Sequence, residues 1–157
     1  MDTFTHLTVE PLSTGHLATV CAIAATAPDP WSRESLAAAL ADARYHCLVA
    51  LKGQTPVGLA CFVAAQDTAD VAQLVVAPAA RRRGVGRLLL GRGLAVLRAQ
   101  GIKRVLLEVR QGNAAAIALY GSLGFHTLAV RRGMYQHPPE DGLLMALDIP
   151  PKTGDET

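Results

Sequence analysis

The chain has 157 residues, of which 50% are hydrophobic and 18% are charged, a composition typical of a folded globular protein that excludes a disordered chain. This length predicts a single domain over residues 1–150 and a flexible polar tail over 151–157. Aromatic residues make up only 4% of the chain, so stacking on nucleic acid bases is not expected to be a main activity.

The formal net charge of +2 conceals an uneven distribution of charge along the chain. Residues 1–80 carry three basic and seven acidic side chains, whereas residues 81–110 carry nine basic side chains and a single acid. The remainder carries three basic and five acidic side chains. Such a local concentration predicts an anionic partner at one site and does not indicate a generally basic protein.

The cysteines and the hydropathy pattern argue against several other classes of protein. Cys21, Cys47 and Cys61 are odd in number and far apart, so we expect neither a disulfide framework nor a zinc site. Free buried thiols in a reducing cytoplasm are the simplest interpretation. The sequence shows no signal peptide and no apolar run of about 18 residues, so no membrane partner is expected.

The first half of the chain is predicted to form a strand, two helices and a β-hairpin. Ser32 is a good N-cap for the second helix, and Lys52, Gly53 and Gln54 interrupt two apolar runs as a hairpin turn does. The predicted elements are a strand over 6–12, a helix over 13–27, a loop over 28–32, a helix over 33–43 and a hairpin over 45–65.

The second half alternates strands and helices. Pro78 ends a strand, and Gly101 and Gly124 follow two helices as C-caps. The predicted elements are a strand over 70–78, a helix from the arginine-rich turn to about 100, a strand over 102–110, a helix over 113–125 and strands over 126–135 and 141–149. The order β-α-α-β-β-β-α-β-α-β-β indicates an α/β (α+β) domain with a mixed sheet of about seven strands and about four helices. Its crossover connections should make neighbouring strands parallel.

The segment RRRGVGRLLL, residues 81–90, places three arginines and two glycines where a strand gives way to a helix. A helix start offers free N–H groups and a positive dipole end, and glycine lets a ligand approach the backbone. The N–H groups from about Arg82 to Arg87 are therefore a candidate phosphate site. An ordinary solvated turn and a nucleic acid patch remain alternatives, but Walker and dinucleotide-binding loops need residues that are missing here.

Glu108 and Tyr120 are the candidate catalytic side chains. Glu108 interrupts a strand that we expect to be buried on both faces, so it should be either a general base in a cleft or the ion-pair partner of Arg110. Tyr120 shares one face of the last helix with Asn113 and Ile117, and it is either a core residue or a proton donor.

These residues together resemble the GNAT (Gcn5-related N-acetyltransferase) family. Residues 81–86 match the family's acetyl-coenzyme A loop, Q/R-x-x-G-x-G/A, and the order of strands and helices matches over about residues 5–149. The run LEVRQGNAAAIALYGSLGF, residues 107–125, resembles the signature of the bacterial ribosomal-protein-alanine N-acetyltransferase (RimI-type) subfamily.

The resemblance implies acetyl-CoA as co-substrate, no metal, and a role for each matching residue. Glu108 would be the base and Tyr120 the acid, while Trp31 and Tyr135 would contact the acceptor. That subfamily usually has two tyrosines where Met134 and Tyr135 stand, which affects the choice of peptide and leaves cofactor use unchanged. The implied cofactor-binding residues are Leu74, Val75, Val76, Arg81, Arg82, Arg83, Gly84, Val85, Gly86, Arg87, Asn113 and Tyr120.

Three functions remain open at this stage. The first is acetylation of a protein N-terminus, with a ribosomal protein as a candidate partner, by a cytoplasmic monomer or homodimer that does not bind nucleic acid directly. The second is acetylation of a small amine or an internal lysine. The third is a non-catalytic acetyl-CoA-binding module, which the presence of both Glu108 and Tyr120 argues against.

Overall fold

The structure, a computed structural model, describes residues 6–150, which form one seven-stranded mixed sheet with helices on both faces. The predicted sheet and the four predicted helices are confirmed. The strands are β1 (Leu7–Pro11), β2 (Tyr45–Lys52), β3 (Thr55–Ala65), β4 (Thr68–Val76), β5 (Arg104–Arg110), β6 (His126–Gln136) and β7 (Pro139–Asp148). The helices are α1 (Leu17–Ala24), α2 (Arg33–Ala41), α3 (Val85–Ala99) and α4 (Ala114–Ser122), with single 3₁₀ turns at Thr14–His16 and Pro78–Ala80.

The helix ends follow local sequence signals. Ser32 caps α2 by accepting a hydrogen bond from the backbone N–H of Ser35 at 3.1 Å, and Gly101 follows α3 with a φ of +84°. The predicted helix over 13–27 is too long. The hydroxyl of Thr26 donates to the carbonyl of Ile23 at 2.7 Å just beyond the end of α1, so the helix ends before the loop that leads to α2. The predicted tail, 151–157, lies outside the described residues.

Sheet order departs from the expectation that crossovers make all neighbouring strands parallel. The order is β1-β2-β3-β4-β5-β7-β6. The crossover through α3 does pair β4 and β5 in parallel, but the crossover through α4 leaves β6 at the sheet edge. The reason is that β7 forms a hairpin with β6 and also pairs antiparallel with β5 over the whole length of β5. The hairpin turn contains only residues 137 and 138, fewer than expected.

Alternation along the strands divides the core into two layers. On β2, Leu48 and Ala50 belong to the cluster shared with α3 and α4, whereas Cys47 and Val49 belong to the cluster shared with α1 and α2. Cys47 and Cys61, which lie opposite each other on β2 and β3, are buried as expected, whereas Cys21 is partly exposed. No helix within residues 6–150 is long and apolar enough to span a membrane.

The two central strands separate soon after they pair. The parallel ladder of β4 and β5 contains only three residue pairs, from Thr68 with Arg104 to Asp70 with Leu106. Beyond that point, Ala72 lies in a bulge, because Val71 pairs with Phe62 and Gln73 already pairs with Cys61. A bulge increases the twist of its strand. The carboxyl-terminal halves of β4 and β5 therefore diverge and leave a gap in the middle of the sheet.

Candidate active site

The gap between β4 and β5 opens into a cleft of about 870 Å³. Its walls come from β4, the start of α3, one side of α4, and Thr26 to Pro28 in the loop between α1 and α2, together with Arg110, Gly112 and Glu140. The cleft thus brings together almost the whole implied cofactor set, although Arg83 is not among its lining residues. The lining members of that set are Leu74, Val75, Val76, Arg81, Arg82, Gly84, Val85, Gly86, Arg87, Asn113 and Tyr120.

The arginine-rich turn places the first backbone N–H groups of α3 at one end of this cleft. Gly84 caps α3 with a φ of +84°, and Arg82 also has a positive φ, +63°. The first hydrogen bond of the helix joins the N–H of Leu88 to the carbonyl of Gly84 at 3.0 Å. The N–H groups of residues 85–87 therefore come before the first hydrogen bond within the helix. Free N–H groups, the helix dipole and neighbouring arginines make this end of the cleft suitable for a diphosphate.

Two arginine side chains brace the same turn. The Nε of Arg81 donates to the carbonyl of Val76 at 3.2 Å, which fixes the turn to the end of β4. The Nη2 of Arg87 donates to Oγ of Ser122 at 2.6 Å and so joins α3 to α4. The start of α3 is close to α4, because a Cβ on Gly86 would lie only 3.3 Å from the Leu119 side chain. The turn is therefore held in place before any ligand binds.

Glu108 is exposed, so the prediction that its strand buries it is wrong. The physical reason is that β5 pairs with β4 only as far as Leu106, which leaves the second half of β5 uncovered on the side of the gap. Glu108 has no contact with Arg110 of the kind predicted, because that guanidinium pairs with Asp29 and Glu140. Glu108 does lie close enough to Tyr135 to contribute, after burial and Asp29, to raising the pKa of that phenol.

Tyr120 lies between the core and the cleft, a position that is consistent both with a core residue and with a proton donor. The residue is 8% exposed, its ring lies 5.8 Å from that of Phe125, and it also lines the cleft. Burial, with a smaller contribution from Tyr135, raises the pKa of Tyr120 to about 12. Its hydroxyl is therefore protonated at neutral pH and can act as a hydrogen-bond donor or a proton donor.

Asn113 has a structural role in addition to its place in the cleft wall. Its Oδ1 accepts a hydrogen bond from the N–H of Ala116 at 3.2 Å, so the side chain is the N-cap of α4. The side chain that was expected to contact the cofactor thus also fixes the start of the helix that carries Tyr120.

The two side chains implied for the acceptor lie beside the cleft and do not form its walls. Trp31 is partly buried and packs edge-on against Tyr45, with ring centroids 6.2 Å apart. Tyr135, on β6, lies beneath the Arg110 guanidinium, whose central carbon is 4.3 Å from the ring centroid. The neighbouring Met134 is 37% exposed.

Arg110 is the functional candidate that the sequence did not reveal. It is 7% exposed, and its guanidinium contacts both the α1–α2 loop and the β6–β7 hairpin, which flank the cleft. Its partners could not be predicted, because they lie up to 81 residues away in the chain. The only signal in the sequence was a cation in an apolar strand. Within residues 6–150 no group of three or more His, Cys, Asp or Glu side chains is arranged to hold a metal ion.

Comparison with known proteins identifies the family. The model of the Acetyltransferase (GNAT) family matches residues 17–125. The chain belongs to the GNAT family. It is accordingly an N-acetyltransferase, and enzymes of this family use acetyl-CoA.

GNAT relatives match most of the chain. The [ribosomal protein bS18]-alanine N-acetyltransferase of Escherichia coli K12 is 36% identical over 125 residues, which are 76% of this chain and 82% of the relative. The N-alpha-acetyltransferase RimI of Mycobacterium tuberculosis is 37% identical over 124 residues, which are 76% of this chain and 77% of the relative. The crystal structure of the E. coli ribosomal-protein-S18-alanine enzyme superimposes with a TM-score of 0.87 and 33% identity, covering 97% of this chain and 99% of the other.

The cleft of this GNAT chain fits acetyl-CoA chemically. The N–H groups at the start of α3 are suited to the diphosphate. On the side that faces β5, β4 has no neighbouring strand beyond Asp70, so its backbone there can hydrogen-bond the amides of a pantetheine arm. The apolar walls formed by Leu74, Val76 and Leu119 suit the remainder of that arm.

Proposed function

We propose that this protein acetylates the N-terminal α-amino group of a protein, as its bS18-alanine relatives are named for doing. The observation that carries the proposal is the alignment of a relative named for that activity over 76% of the chain, at 36% identity. A ribosomal protein with an N-terminal alanine is the acceptor that this relationship favours.

The pKa of the acceptor amine determines how strong a general base the enzyme needs. An amine attacks only when it is neutral, and an α-amino group with a pKa of about 8 is partly neutral near pH 7. A lysine, with a pKa of about 10.4, is neutral only about one time in a thousand under these conditions. An α-amine therefore needs only a modest base, which suits an exposed carboxylate such as Glu108.

Glu108 and Tyr120 take opposite roles in the proposed transfer. Because Glu108 is exposed, it accepts the proton of the amine through water. Tyr120 keeps its proton at neutral pH and gives it to the departing thiolate. Acetyl-CoA supplies a thioester that is already reactive, and a backbone N–H of Leu74, Val75 or Val76 donates to the oxyanion that forms during acyl transfer.

The proposal is tested by identifying the acetylated nitrogen. The protein is incubated with acetyl-CoA and a peptide that begins with Ala and also contains an internal Lys, and mass spectrometric fragmentation then locates the acetyl group. We expect it on the α-amine. The same peptide with a blocked N-terminus and a panel of small amines serve as competing acceptors. Acetylation of the lysine, or turnover confined to a small amine, would contradict the proposed acceptor.

The role of Glu108 is tested in the same assay. Glu108→Gln keeps the size of the side chain but cannot accept a proton, so kcat for the α-amine should fall by about 10²–10⁴-fold. The dissociation constant for acetyl-CoA should stay unchanged, since Glu108 does not line the cleft. The matched control is Glu10→Gln on β1, at the opposite edge of the sheet from β6. A Glu108→Gln variant with wild-type kcat would remove Glu108 from the mechanism.

A further inference from the structure

Arg110 is unusual among the described residues because it is the one charged side chain that is buried. It ends β5, and its guanidinium uses all five of its N–H donors. Nε and Nη2 form a two-pronged pair with the carboxylate of Asp29 at 3.0 and 2.9 Å. Nη1 donates to the carbonyl of Pro138 at 2.9 Å and to Oε1 of Glu140 at 3.3 Å, and Nη2 also donates to the carbonyl of His137 at 3.1 Å.

These contacts join two segments that are far apart in the chain. Asp29 lies in the loop between α1 and α2, residues 25–32, which we call the acceptor loop. Its carboxylate is bound by Arg110 from β5, and its backbone carbonyl accepts a hydrogen bond of 3.5 Å from Nε2 of Gln73 on β4. The acceptor loop is therefore attached to both strands that border the gap, and through Arg110 it is also attached to the β6–β7 turn.

The same network forms part of the cleft wall. Oε2 of Glu140 accepts a hydrogen bond from the N–H of Gly112 at 2.6 Å, while Oε1 of the same carboxylate receives the bond from Arg110. Gly112 and Glu140 line the cleft, as do Thr26 to Pro28 of the acceptor loop. With a diphosphate at the start of α3, an acceptor amine that lies between the acceptor loop and the hairpin would contact this part of the cleft wall.

We propose that Arg110 is a positioning residue for the acceptor, and that the Asp29–Arg110 pair holds the acceptor loop in the conformation that binds it. This inference rests on the proposed transfer to an acceptor amine, but it does not depend on which amine that is. Arg110 lines the cleft, but its hydrogen bonds go to Asp29 and to residues 137–140, and none goes to the turn at the start of α3. The pair should therefore set the affinity for the acceptor and leave the affinity for acetyl-CoA unchanged.

Asp29→Asn tests this directly, because it removes the charge of a side chain that is 52% exposed without leaving a buried cavity. The remaining amide cannot accept both bonds of the guanidinium, so the acceptor loop loosens. We expect the KM for the acceptor to rise about tenfold, with kcat changed by less than about twofold and the dissociation constant for acetyl-CoA unchanged. Asp29→Glu retains the carboxylate and should return the KM toward the wild-type value.

Arg110→Lys complements this test from the other side of the pair. Lysine keeps the charge but lacks the planar fork, so the acceptor KM should rise at least as much as in Asp29→Asn. Because the two residues act as one pair, the double variant should be no worse than Arg110→Lys alone. Arg110→Ala is less useful, since it would leave Glu140 unpaired and could unfold the protein.

The matched control is Asp42→Asn, which breaks a two-pronged pair with Arg44, 2.7 Å at its shortest, just after α2 and away from the cleft. It should leave the acceptor KM unchanged. The inference is overturned if Asp29→Asn does not change the acceptor KM, if acetyl-CoA binding weakens equally, or if Asp42→Asn has the same effect. The assay uses whichever acceptor the wild-type protein acetylates. A negative result for the Asp29–Arg110 pair is therefore distinct from a negative result for the α-amine proposal.

Discussion

Tyr120 shows how a single residue can belong to both the core and the cleft. Its ring packs on Phe125, and the side chain also lines the cleft where acyl transfer is proposed. Burial disfavours the phenolate, which is why the pKa of Tyr120 rises to about 12. At the scale of the residue, the same packing holds Tyr120 at the cleft wall, where its hydroxyl keeps its proton at neutral pH as the proposed mechanism requires.

Tyr120→Phe separates the two roles. Packing is retained, so stability at pH 7 should change by less than about 1 kcal/mol, whereas kcat should fall by about 10²-fold or more because the thiolate loses its acid. Titration of phenolate absorbance should show that the step near pH 12 is absent from the variant.

The pH dependence of stability has a definite sign for the same residue. With a folded pKa of about 12 and an unfolded value of about 10, the contribution of Tyr120 is constant below pH 10 and declines between pH 10 and 12. Tyr120→Phe should be less sensitive in that interval. A wild-type tyrosine titration that ends near pH 10 would contradict the buried position.

Two glycines in α3, Gly91 and Gly93, allow a test of how closely this helix packs on the sheet. A Cβ on Gly93 would overlap the ring of Phe62 on β3, whereas a Cβ on Gly91 would have no atom within 4 Å. Gly93→Ala should therefore destabilise the protein by about 1–3 kcal/mol, and Gly91→Ala should stabilise α3 by up to about 1 kcal/mol. Denaturant unfolding of both variants measures the difference, and equal effects would contradict the observed close approach of α3 to the sheet.

At the scale of the element, α4 is held in place by contacts at both of its ends. Asn113 caps the helix, Tyr120 lies two turns further on, and Ser122 at the last turn accepts the bond from Arg87 that links α4 to α3. The position of Tyr120 thus depends on the cap and on the bond between the two helices.

Asn113 substitutions distinguish the cap from the cofactor contact. Asn113→Ala should cost about 1 kcal/mol of stability, because the N–H of Ala116 loses its acceptor. Asn113→Asp keeps the cap and so the stability, but it adds a negative charge in the cleft wall and should weaken acetyl-CoA binding. Thermal unfolding and calorimetric titration with acetyl-CoA report the two effects separately. If Asn113→Asp bound acetyl-CoA as tightly as wild type, the phosphates would not lie near Asn113.

The elements that the sequence predicted best are those with local signals. Ser32 as a cap, Gly101 after α3 and the turn at Gly53 are determined by residues within a few positions, and each is found as predicted. The helix over 13–27 was overestimated because its apolar, alanine-rich composition continues through residues 25–27, beyond the end of α1 at Ala24. The arginine-rich turn before α3 was also predictable, because its glycines are adjacent in sequence to the start of the helix.

At the scale of the whole molecule, sheet order creates the site. The insertion of β7 between β5 and β6 places the β6–β7 hairpin beside the end of β5, where Arg110 contacts it. No local pattern specifies this order, so both the exposure of Glu108 and the pairing of Arg110 with Asp29 were missed. These are contacts between segments distant in sequence, and only the assembled sheet brings them together.

The central claim is that the gap between β4 and β5 directs acetyl-CoA from the arginine-rich turn toward an acceptor at the opposite end of the cleft. The most direct test is a crystal structure with a conjugate of coenzyme A and an Ala-initiated peptide, joined through an acetyl bridge on the α-nitrogen. The account predicts the diphosphate on the N–H groups near Gly84 and Gly86, and the peptide between the acceptor loop and the β6–β7 hairpin. A diphosphate bound elsewhere, or a peptide that leaves the cleft away from Glu108 and Tyr120, would contradict it.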